Sequence, residues 1–131
     1  MEKEAIKLIE TFLSAVQKVD MEKLVTLMEP DMRWSQPGHN QVSGNKQSAG
    51  EVFQMVGKMF ELSANTLTLA EVKVLAANSN QVACLLRWTA AHPSGKKLDI
   101  ENIDVYTVAN GKITEATVFT TDVEQENDFW A

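Results

Sequence analysis

The apolar residues of this chain change their spacing near Asn65, and that change limits the fold more than any other feature. Before it they recur every three to four residues. After it they recur every two, in four runs: "TLTLAEVKVLAA", "QVACLLRWTAAH", "KLDIENIDVYTVA" and "KITEATVFTTD". Period two is a strand seen from its two faces, and period three to four is a helix with one buried stripe. The connections between the runs are Asn78-Ser79-Asn80, Pro93-Ser94-Gly95 and Asn110-Gly111, all hairpin chemistry. Helices followed by an antiparallel meander predict an α+β fold, a curved sheet with helices packed on one side.

The helical part resolves into three segments. In "EAIKLIETFLSAVQKV" the residues Ala5, Ile9, Phe12, Leu13 and Val16 form one stripe. Asp20 is placed to cap a shorter helix carrying Leu24, Leu27 and Met28, which Pro30 and Asp31 end. "MRWS" then reads as a short strand and "QPGHNQVSGN" as a loop. Ser48 and Glu51 make a capping box for a third helix, with Val52, Met55, Val56, Met59 and Phe60 along one face.

A chain of 131 residues fits one domain, residues 1–131. Its net charge is -6, with no Lys/Arg run to offset it, which argues against nucleic acid and anionic membranes as partners. No apolar run is long enough to span a membrane. One cysteine, Cys84, forms no internal disulfide and suits a reducing cytoplasm. His39, Cys84 and His92 lack metal-ligand spacing, and no nucleotide-binding or zinc-protease motif occurs, so neither metal nor organic cofactor is expected.

Strand alternation sorts candidate site residues by face. Leu85, Arg87 and Thr89 share one face of the second long strand; Cys84, Leu86 and Trp88 share the other. Ile100, Asn102, Asp104 and Tyr106 share a face of the third. A "PSG" loop that pairs Arg87 with Asn102 brings Arg87 beside the carboxylates. A three-residue "ANG" loop with a glycine bulge keeps Asp104 and Tyr106 on the side of Val118 and Asp122, whereas a tight Asn-Gly turn flips the last strand. The bulged version gathers Arg87, Asn102, Asp104 and Asp122 on the inner face. It leaves Leu86, Trp88, Ile103, Val105 and Phe119 outside, an apolar face that predicts a homodimer through the sheet.

Three helices, a "W..PG" segment and a four-strand meander resemble the SnoaL-like, ketosteroid-isomerase-like group of the nuclear transport factor 2-like superfamily. The resembling pieces are "PDMRWSQPGHNQVSGN", "GEVFQMVGKMFEL", "LDIENIDVYTVANGKITE" and "TTDVEQENDFWA", in family order over nearly the whole chain. The resemblance implies a cone, with a pocket at the open end of a curved sheet. It also implies an acid or base on the last strand, where Asp122 stands, and a histidine where this chain has Asp104. The Arg and two Asp residues of limonene-epoxide-hydrolase relatives are matched here by Leu85, Arg87 and Val118, which argues against that activity. The group includes both enzymes and binding modules, so fold alone does not give function.

Two functional readings follow. In one, Asp122 or Asp104 removes a proton next to a carbonyl, and Tyr106, Arg87 or Asn102 stabilises the oxyanion, giving a cofactor-free cyclase or isomerase. In the other, the pocket only holds a small apolar or aromatic molecule. In both, Trp34, His39, Ile100, Asn102, Tyr106, Val118, Met55 and Met59 are the expected binding residues. Trp34 can instead be plain core, and Arg87 with the two aspartates a structural ion pair.

Overall fold

The first helix, α1 (Glu2–Lys18), follows directly from its stripe. Ala5, Ile9, Phe12 and Leu13 are buried, with acidic residues in the first turn and Lys18 in the last, matching the helix dipole. In this computed structural model, which describes residues 2–131, Val19 takes a positive φ of 54° and ends that helix. Asp20 then caps α2 (Met21–Leu27), its carboxylate accepting from the Lys23 N–H at 3.2 Å.

The chain passes straight from α2 into β1 (Met28–Gln36). Met28, expected on the helix, opens the strand instead. Pro30 disfavours helical backbone at Glu29, so the chain is already extended there. Pro30 itself lies in the irregular stretch between the Met28 and Arg33 ladder pairs, where no backbone donor is needed. A short β2 (Gly44–Lys46) folds back on β1. The Ser48 hydroxyl then caps α3 (Ala49–Leu62), accepting from the Glu51 N–H at 3.2 Å. Four long strands follow: β3 (Thr68–Asn78), β4 (Gln81–Ala91), β5 (Lys97–Ala109) and β6 (Lys112–Thr120). A final helix, α4 (Val123–Phe129), is a fourth helix beyond the three expected.

The sheet order is β2-β1-β6-β5-β4-β3. The meander is antiparallel as expected, but β1 runs parallel to β6, so the sheet is mixed. The crossover through α3 and the meander returns the chain beside β1 in the same direction. Helix α1 packs on β3 and β4, α3 on β1, and α4 on β5. No described helix is long and apolar enough to cross a membrane.

Two turns set the faces of the sheet. At Asn110-Gly111 both residues have positive φ, 53° and 75°, and Ala109 faces Lys112. This is the tight two-residue turn, not the three-residue loop. A bulge one step later restores the phase. Val108 faces Ile113 and Thr107 faces Glu115, leaving Thr114 as the extra residue. Asp104 therefore still faces Val118, and Tyr106 faces Ala116.

The β4–β5 connection departs further from expectation. Ala91 pairs with Lys97, and residues 92–96 turn with Gly95 at φ +99°. Arg87 consequently pairs with Glu101 rather than Asn102. One residue of slip reverses the faces of β4. Val82, Cys84, Leu86 and Ala90 are buried inward, and Leu85 and Arg87 point out. Trp88 and Leu86, expected outside, belong to the inner face, and so does Cys84.

Candidate functional site

Between the helices and the inner sheet face lies a cavity of about 360 Å³, within the range of small-molecule sites. Its walls are apolar. Phe12 and Leu13 come from α1, Met55 and Met59 from α3, Trp34 from β1, Leu86 and Trp88 from β4, Ile100 from β5, and Val118 from β6. The lining residues that reach solvent are Gln17, Val19, Met21, Asn65 and Thr68. The mouth therefore lies between the C-terminal ends of α1 and α3.

The deep polar groups are Asn102, Asp104, Tyr106 and Glu126. The two carboxyls and the amide are each no more than 4% exposed. The Tyr106 hydroxyl donates to Asp104 Oδ2 at 2.7 Å. Asp104 Oδ1, Asn102 Oδ1 and Glu126 Oε2 have no hydrogen-bond partner in the protein. Trp34 stands edge-on to Tyr106 with ring centres 6.4 Å apart, and its indole N–H donates to Gln36 Oε1 at 2.9 Å. Phe12 also packs edge-on against Tyr106, with ring centres 5.5 Å apart. Trp34 thus serves both readings, since it packs against the core and lines the cavity.

Burial governs the charges here. It pushes Asp104 up to about 7, against the pull of the Tyr106 hydrogen bond, and the nearby Glu126 charge adds to the rise. Glu126 is raised by its own burial, opposed by a bond to Thr120 and helped by the charge of Asp122. Tyr106 is held well above its ordinary value by burial and by Asp104. No Lys, Arg or His appears among the described residues that line the cavity.

Three expected members of the site lie elsewhere. Arg87 is on the outer face, bidentate to Asp99 at 2.9 and 2.8 Å and bonded to Glu71 at 2.9 Å. Those bonds raise Arg87 and lower Asp99. Asp122 is outside the cavity because the last ladder pair of β6 is Thr120 with Asn102. The chain then turns, and Asp122 Oδ1 caps α4 by accepting from the Gln125 N–H at 3.1 Å. His39 is exposed, and its backbone N–H donates to Asn127 Oδ1 at 2.7 Å.

The Pro-Gly-His segment clamps α4. Asn40 Nδ2 also donates to Asn127 Oδ1 at 2.9 Å, and Gln41 N–H donates to the Trp130 carbonyl at 3.2 Å. Gly38 makes room for this contact. Its φ is +92°, and a Cβ there would sit 2.6 Å from Asn127 Oδ1. The clamp fixes the helix that carries Glu126, whose place in the site the strand pattern gave no hint of. The available signal was Asp122-x-x-Gln125, a capping-box spacing that starts a helix before Glu126, Phe129 and Trp130.

Residues 9–116 match the family model of the SnoaL-like domain. Rv0034, an uncharacterized protein of Mycobacterium tuberculosis, is 27% identical over 126 residues, covering 96% of this chain and 95% of its own. A Xanthomonas campestris protein of unknown function with a cystatin-like fold is 31% identical, covering 97% of this chain and 98% of its own, with a TM-score of 0.91. TerC, co-crystallized with polyporic acid, is 15% identical over 98% of this chain and 99% of its own, with a TM-score of 0.82; that likeness speaks to fold alone.

Proposed function

The chain belongs to the SnoaL-like domain family, and on that premise we propose that its cavity binds a small, largely apolar molecule on which Asp104 acts as a general base. The observation that carries this reading is a carboxyl with two unlike oxygens in an apolar chamber. Oδ2 is held by Tyr106, while Oδ1 has no partner. A group that titrates at about 7 is an efficient base near neutral pH. The reaction is transfer of a proton from a carbon next to a carbonyl to Asp104 Oδ1, followed by its return to another atom of the same molecule. That is isomerisation or cyclisation, and it balances without an oxidant or a cofactor. Tyr106 is committed to Asp104 and Arg87 lies outside, which leaves the Asn102 amide to donate to the developing oxyanion.

The test is a turnover screen of aromatic and polycyclic carbonyl compounds with wild type and Asp104→Asn. The variant is expected to lose about two to four orders of magnitude in rate, and the wild-type rate to rise with pH through about 7. Asp104→Asn at full rate would remove Asp104 from the chemistry. A cavity that binds but never turns over would leave the second reading, a holding module, which the mostly apolar lining also favours.

A further inference from the structure

We propose that the cavity takes a ligand whose apolar, aromatic body ends in a protonated amine, seated among Asn102, Asp104 and Glu126. This rests on the ligand-binding part of the reading above and not on proton transfer. Three oxygens carry the argument: Asn102 Oδ1, Asp104 Oδ1 and Glu126 Oε2. All belong to side chains more than nine-tenths buried, all line one cavity, and none has a partner in the protein. Every one of them is an acceptor. A buried acceptor left unpaired is costly, so the group that completes the site is a hydrogen-bond donor.

Charge then selects among donors. Two of the three oxygens belong to carboxyls, and no Lys, Arg or His lines the cavity among the described residues. The Arg87 guanidinium is occupied outside by Asp99 and Glu71 and does not balance them. A cationic head brings the missing positive charge and several N–H donors at once. An anionic head brings more negative charge to a site with no counter-ion. Trp34 and Tyr106 line the same cavity, and aromatic rings there are compatible with a cation. Apolar walls of Met55, Met59 and Trp88 receive the body.

The experiment is calorimetric titration of the full chain at pH 7.5 with three probes of one shape: 2-(2-naphthyl)ethylamine, 2-(2-naphthyl)ethanol and 2-naphthylacetic acid. The amine is expected to bind at least about tenfold more tightly than the alcohol, the effect of one charge-assisted hydrogen bond. The acid is expected to bind most weakly. Glu126→Gln, which removes one of the two carboxyls, should shrink the advantage of the amine over the alcohol. Equal affinities for amine and alcohol, or an acid that binds as well as the amine, would overturn the proposal while leaving the cavity a binding site. If none of the three binds, the ligand-binding reading falls with it.

Discussion

At the scale of single residues, the consequence of burying Asp104 is measurable without any substrate. In the unfolded chain its carboxyl titrates near 3.8, and in the fold at about 7. Between those values the folded protein holds a proton that the unfolded chain has lost. Stability from this group is therefore complete below about 4 and gone above about 7, a loss of up to ~4 kcal/mol across that window. Glu126 shifts in the same direction and adds to the slope. Asp104→Asn removes the ionisable group and still accepts from Tyr106. Its melting temperature is expected to fall less than that of wild type from pH 4 to 8, and to exceed it at pH 8. Parallel melting curves for the two proteins across that range would contradict the burial argument. Ile100, Asn102, Asp104 and Tyr106 were legible as one inward face because strict alternation within a single strand carries that information. Which partners meet them was not, because that depends on turns.

At the scale of elements, the outcome was decided by turns and caps of a few residues. Alternation fixed which residues of β4 travel together, but not which way the set points. The 92–96 turn, with Gly95 in a left-handed conformation, reversed it and exchanged Arg87 for Leu86 and Trp88 at the cavity wall. By contrast, the bulge at Thr114 compensated for a turn one residue shorter than expected, so the β5–β6 faces came out as anticipated. Helix starts were legible where a capping side chain announced them, at Asp20 and Ser48. The same chemistry at Asp122 is masked in the sequence, since the apolar alternation of β6 runs up to it. This yields a clear expectation. Asp122→Ala should cost about 1 kcal/mol, the usual effect of losing an N-cap, seen as a modest fall in melting temperature. Turnover, where a substrate is found, should fall far less than in Asp104→Asn. A rate loss in Asp122→Ala as large as that of Asp104→Asn would return Asp122 to the mechanism.

At the scale of the whole molecule, the corrected strand faces change the composition of the outer surface but not its character. Leu85, Ile103 and Phe119 now stand directly opposite one another across β4, β5 and β6, with Ala83 and Val105 one step along. Phe119 is 55% exposed, unusual for a phenylalanine in mid-sheet. Charged groups border this stripe: Lys73 opposite Leu85, and the Glu71–Arg87–Asp99 network beside it. An apolar centre with a charged rim is the anatomy of a protein interface. A two-fold axis through the stripe would set the same patch against itself, as closed dimers require. We therefore propose that two copies pair through this face. Phe119→Lys is the probe of choice, because the Phe119 side chain is already largely in water in the single chain. Its replacement should leave the core and the cavity intact. Light scattering at micromolar concentration is expected to give twice the chain mass for wild type and the single-chain mass for Phe119→Lys. Ligand affinity should be unchanged between the two, since the cavity opens on the opposite side of the sheet. A wild type that scatters as a monomer would end the proposal, and a Phe119→Lys protein that stays dimeric would move the interface elsewhere.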